Sequence, residues 1–175
     1  MFPKIFRKRT KKSTKTRKVP ADKRIVISKV FTSKPPSLAM VDKQASEYFR
    51  KRAILRRSGC EKCGAQKHDI IKENGDTFPA WKQLHWAHYI RRAKMAVRWD
   101  ESNGLGLCAG CHRYIDDEAI AKVEFFKSVL GETEHELLIA RSMQRPDSSV
   151  RQFVLQDFKE RIKILDEEMQ KNENN

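Results

Sequence analysis

Two Cys-x-x-Cys turns, Cys60-Glu-Lys-Cys63 and Cys108-Ala-Gly-Cys111, constrain this chain more than any other feature. Each turn brings two thiolates to one point, and two such turns complete a tetrahedral zinc site. All four cysteines of the chain sit in these pairs, and the N-terminus has no apolar export signal. Metal ligation in a reducing cytoplasm therefore fits them better than disulfides do. The gap from Cys63 to Cys108 is longer than in a simple zinc ribbon, so it must hold inserted structure. His68 is an alternative fourth ligand.

The 175 residues suit one domain plus tails. A net charge of +14 and a pI near 9.8 attract a polyanion, with nucleic acid the first expectation. No apolar run approaches the roughly 18–20 residues of a membrane span. Residues 1–24 carry eleven Lys/Arg against one acid, Asp22. Such a segment buries too little apolar surface to offset its ordering entropy, and it reads as a disordered arm on DNA. Its composition is also that of a mitochondrial-type presequence. Ile25–Phe31 is a short apolar stretch, read as a linker with one strand at most, and Pro35-Pro36 ends regular structure. The domain boundaries expected are 1–36 for the arm and linker, 37–145 for the core, and 146–175 for a C-terminal amphipathic helix.

Apolar positions at Val41, Ala45, Tyr48, Phe49 and Leu55 predict a helix over 37–57, which Ser58-Gly59 stops before the first cysteine turn. Residues 64–80 are polar, with a turn at Asn74-Gly75-Asp76. Leu84–Ile90 reads as a strand. A second strand falls within Gly104–Leu107, although two glycines weaken it. One helix is expected from Cys111 to Gly131, and another after Thr133 as N-cap with Glu136 closing a capping box. His135 reads as part of that helix's solvated face, and Pro146 ends it. The last helix places Val150, Val154, Phe158, Ile162, Leu165 and Met169 on one face. Trp86 and Trp99 read as core residues.

The segment enclosed by the cysteine turns carries His85 and His88 in LHWAHYIRR, then Asn103, and His112 directly follows Cys111. Strand–loop–strand–helix, with His88 on the first strand and His112 at the helix start, is a ββα-metal arrangement. The ordered His88, Asn103 and His112 resemble the HNH endonuclease superfamily. The run AHYIRRAKMAVRWDESNGLGLCAGCHRYI, with upstream DKQASEYFRKR and downstream FKSVLG, resembles the phage NinG (Rap)-type recombination nucleases over residues 41–143. The fold expected is thus α+β: a zinc-stapled ββα-metal core flanked by helices, with a basic arm.

The resemblance implies a DNA endonuclease using one divalent ion, Mg²⁺ or Mn²⁺, and acting in recombination. Branched or single-stranded DNA in the cytoplasm of an infected bacterium would be its setting. His88 is then the general base, since a neutral imidazole can take a proton from water. Asn103 fixes the loop between the strands, or merely occupies a turn. His112 holds the catalytic ion, which polarises the phosphate. Asp116, one helical turn on, is a second ligand or a solvated first-turn acid favoured by the helix dipole.

One position departs from the family pattern. Many members carry a metal ligand immediately before the general base, where this chain has Ala87. His85 shares Ala87's strand face and could substitute, or else it packs or contacts DNA. Arg91, Arg92, Lys94 and Arg98 are candidate phosphate contacts. The alternative reading, which Ala87 favours, is a non-catalytic zinc-stabilised DNA-binding module. An RNA-binding or ribosome-associated zinc protein fits the charge but leaves the ordered histidines unexplained. Oligomeric state is not legible in the sequence.

Overall fold

The computed structural model describes residues 34–147 and 150–173; the basic arm and the apolar stretch after it lie outside the described residues. Helix α1 (Leu38–Arg57) starts where the Ser37 hydroxyl accepts from Met40 N–H, and stops at Ser58, whose φ of 54° is left-handed. The first cysteine turn follows. Strands β1 (Ile70–Ile71) and β2 (Thr77–Phe78) form a two-residue hairpin. It closes through the Asn74-Gly75-Asp76 turn, with Gly75 at φ 83°. Elements this short carry no alternation, so only their turn is legible in sequence.

Strand β3 (His85–His88) pairs antiparallel with β4 (Gly104–Leu107), with His88 opposite Gly104 and His85 opposite Leu107. Both strands stand where the residue pattern places them, and the glycines of β4 have a packing cause. A Cβ at Gly104 would overlap Phe49 and Trp86, and one at Gly106 would overlap Ala53. Helix α1 lies that close to the strand, so glycine here marks close approach and not a weak strand. Arg52, 4 % exposed, ties the layers together: its Nη2 donates to Gly104 O at 2.7 Å and lies 3.7 Å from Glu61.

Two apolar clusters result. One joins Ala53, Cys60, Leu84, Ala87, Leu105, Leu107, Ile115 and Phe126, under the cysteine turns. The other joins Ala45, Tyr48 and Phe49 of α1 to Phe158, Ile162 and Leu165 of α5 (Arg151–Glu173). Trp86 stacks on Phe49 at 5.1 Å and Trp99 borders the same cluster. The C-terminal helix is therefore built onto α1, and the described residues from Pro35 onward form one compact unit.

Three expectations need correction. The single helix after the second cysteine turn is two, α2 (Ala109–Asp117) and α3 (Ala119–Leu130), separated by Glu118 in extended backbone. Asp116 consequently lies in the last turn of α2, where the dipole disfavours an acid. Thr133 is not an N-cap: Gly131, at φ 78°, both ends α3 and starts α4 (Glu132–Ser142), leaving Thr133 inside the first turn. His135 is 3 % exposed and not solvated, because α4 packs beneath Tyr89 and its Nε2 lies 2.6 Å from the Tyr89 hydroxyl. The fold class is mixed, helices with two small antiparallel sheets.

Candidate functional site

Cys60 and Cys63 leave α1 on a tight turn in which Cys60 N–H donates to Ala65 O at 3.0 Å and Gly64 N–H donates to Cys60 O at 2.9 Å. Cys108 caps α2 and Cys111 stands in its first turn. The turns are pinned to each other through β4. Glu61 N–H donates to Gly106 O, and the Glu61 carboxylate accepts from Gly106 N–H at 2.6 Å. The four sulfurs lie within 4.8 Å of one another, a group that could hold a metal ion such as zinc. Burial pushes the Cys60 and Cys111 thiols up, while the Ala65 N–H brings Cys63 down to about 7. Burial and mutual crowding of thiols is the state that a bound cation relieves.

Beside this staple a cavity of about 960 Å³ runs along the edge of β3 that has no strand neighbour among the described residues. Helix α1 contributes Asp42, Ser46 and Arg50 to it, and α2 and α3 contribute His112, Asp116 and Lys122. Strand alternation divides the two histidines of β3. His88 shares Trp86's face, their ring centroids 3.9 Å apart, whereas the His85 ring lies 5.7 Å from that of His112. The cavity thus brings together His85, His88, His112, Asp116, Arg91 and Arg92. Lys94 and Arg98 are not among its lining residues.

The His88 ring is largely buried, and among the described residues its Nε2 meets no hydrogen-bond partner. Burial, reinforced by the Arg92 charge, lowers its pKa to about 4, so it is neutral at pH 7. His112 is held down by burial too. Its Nε2 lies 3.3 Å from Asp116 Oδ2, with the two residues one helical turn apart. A neutral imidazole and a carboxylate at that separation fit a hard or borderline divalent ion. His85 is the neighbouring imidazole, although among the described residues only the four cysteines gather three or more donor atoms within 4.8 Å.

Asn103, fully buried, sits between the site and its loop. Its Oδ1 accepts from Ile90 N–H at 2.7 Å, and its Nδ2 donates to Ile90 O at 3.0 Å and Val97 O at 2.8 Å. Arg98 adds a second clasp. Its Nε and Nη2 donate to the Asp42 carboxylate at 2.9 and 2.5 Å, and its Nη1 donates to Arg92 O. Trp99 Nε1 also donates to Asp42. This guanidinium is spent inside the protein, holding the loop that presents Arg91 and Arg92.

Asp42, Arg50, Lys82 and Lys122 also line the cavity, although the sequence marks none of them as a site residue. Asp42 and Arg50 come from a helix far upstream of the histidine segment. Lys122 comes from a helix whose phase resets at Glu118. No short-range spacing could have marked them. No protein-family model matches the chain, and neither a curated protein nor a solved structure matches it.

Proposed function

We propose that the protein is a metal-dependent HNH-type endonuclease that hydrolyses DNA phosphodiester bonds, with zinc in the four-cysteine site. The observation that carries this reading is the cavity itself. It has the neutral imidazole of His88, its Nε2 without a hydrogen-bond partner among the described residues, at one face of the β3 edge and the His112–Asp116 pair at the other, among Arg50, Lys82, Arg91, Arg92 and Lys122. Cleavage asks for a base to take a proton from water, positive charge on the phosphate, and stabilisation of the leaving oxygen.

His88 serves as the base. A phosphate in the cavity brings negative charge beside the ring and raises its proton affinity from the low value of the free protein toward the useful range. His112 and Asp116, with His85 alongside, would hold a divalent ion, whose chemistry is to polarise the phosphate and stabilise the leaving oxygen. Arg91 and Arg92 match phosphate oxygens and orient the strand. Asn103 keeps the loop after His88 in place. The zinc staple fixes the start of α2, and with it His112.

A role in recombination, on branched or single-stranded DNA, extends the same reading. The test is a plasmid-nicking assay with Mg²⁺, Mn²⁺ or EDTA on wild type and His88→Ala. Wild type should cut with a divalent ion and not with EDTA, and His88→Ala should lose roughly 10²–10⁴-fold while still binding DNA. Tight DNA binding by wild type with no cleavage under any of Mg²⁺, Mn²⁺, Ni²⁺ or Zn²⁺ would leave a zinc-stabilised binding module, the reading that a buried Ala87 in place of a ligand favours.

A further inference from the structure

Two acids line the cavity, Asp42 and Asp116, against five Lys or Arg side chains. Asp42 is fully engaged by Arg98 and Trp99. Asp116 divides its two oxygens: Oδ2 faces His112 Nε2 at 3.3 Å, and Oδ1 accepts from Lys122 Nζ at 3.1 Å. The Lys122 side chain is 16 % exposed, and Asp116 is the acid it pairs with. Its ammonium therefore stands beside the carboxylate that the metal reading needs, and it neutralises that carboxylate. It lines the same cavity as the base and the ligand, where the reading above puts the reacting phosphate.

We propose that Lys122 is an exchange partner of Asp116. In the free protein its ammonium takes the cation's place at Asp116, and when substrate and a divalent ion enter it moves onto the scissile phosphate. The proposal rests on the nuclease reading for its second half and on the Lys122–Asp116–His112 geometry alone for its first. Two consequences follow from charge. A divalent ion must compete with Lys122 for Asp116, so the free protein binds it weakly. A second cation on the phosphate stabilises charge that develops in the transition state, beyond what the ion supplies.

The experiment uses the full chain with zinc in the cysteine site, and Mn²⁺ as probe, since Mn²⁺ favours oxygen and imidazole donors over thiolates. Mn²⁺ affinity is read by calorimetry and cleavage at saturating Mn²⁺ on a nicked-plasmid gel. Lys122→Met keeps the stem and removes the charge. It should bind Mn²⁺ about three- to tenfold more tightly and cleave about tenfold or more slowly, with an unchanged urea midpoint as the folding control. Asp116→Asn should bind Mn²⁺ more weakly than wild type. Lys122→Arg should recover most of the cleavage. Unchanged or weaker Mn²⁺ binding by Lys122→Met would overturn the exchange. Unchanged cleavage would overturn the phosphate contact. If wild type cuts nothing, the nuclease reading and the phosphate contact both fall, whereas tighter Mn²⁺ binding by Lys122→Met would still establish the exchange.

Discussion

Removing the Asn103 amide is the sharpest perturbation the structure offers. Three backbone groups depend on that side chain: Ile90 N–H, Ile90 C=O and Val97 C=O. The bond to Val97 is buried and those to Ile90 are half-buried. Stranding a buried polar group costs about 1–3 kcal/mol, and water can reach the half-buried pair. Taking about 2 kcal/mol for Val97 and about 1 for each Ile90 group, Asn103→Ala should cost about 4 kcal/mol. That is a large fraction of the roughly 5–15 kcal/mol that holds a domain folded. Urea unfolding of the zinc-loaded protein, with a slope of about 1–3 kcal/mol per molar, should show a midpoint lower by roughly 2 M. Asn103→Asp separates hydrogen bonding from size. It keeps an acceptor for Ile90 N–H but turns an oxygen toward two carbonyls, so at pH 7 it should be at least as destabilising as alanine. Hydrogen exchange at the Ile90 amide should quicken in Asn103→Ala. A loss below about 1 kcal/mol in Asn103→Ala, or an aspartate variant as stable as wild type, would refute the clasp.

Stripping zinc with a chelator should unfold the core, and Cys60→Ser should cost more than Cys63→Ser, since Cys60 is buried and Cys63 exposed; a folded circular-dichroism spectrum in metal-free protein would count against this. His88 titrates near 4 when folded and near 6.5 when unfolded, so the unfolded chain takes up the proton first as pH falls. Stability should then decline between about pH 6.5 and 4, by about 3 kcal/mol at most, and His88→Gln should flatten that slope in denaturant titrations across the range. Tyr89→Phe removes the hydroxyl partner of the buried His135 and should lower stability by about 1–2 kcal/mol, measured by thermal unfolding. Deleting residues 1–24 should weaken DNA binding and reduce its salt dependence while leaving cut sites unchanged; an unaltered salt slope would contradict phosphate contact by the arm.

Much of the frame was legible because it depends on local rules. Helix α1 follows from its apolar period and its serine caps, and Ser58 stops it as expected. The cysteine turns come together because Cys-x-x-Cys is a statement about distance as well as identity, and the sulfurs converge as the spacing requires. Both strands of the β3–β4 pair stand where the sequence puts them. Signals failed where the deciding contact is remote. The glycines of β4 look like a weakness until α1 is laid across them. His135 looks solvent-facing until Tyr89 closes over it.

The sequence by itself determined the four-cysteine frame, helices α1 and α5, the β3–β4 pair and the candidate histidines, since each rests on spacing within a few residues. Only the tertiary structure decided which of those side chains meet. Strand alternation sends His85 toward His112 and His88 toward the α1 side, and the break at Glu118 turns Lys122 back onto Asp116. Arg98, to sequence one basic residue among four in its loop, is consumed by Asp42 from a helix more than fifty positions earlier. Charge and residue type are properties of the chain, but whether a charge is free to meet a ligand depends on which partner the fold has placed beside it.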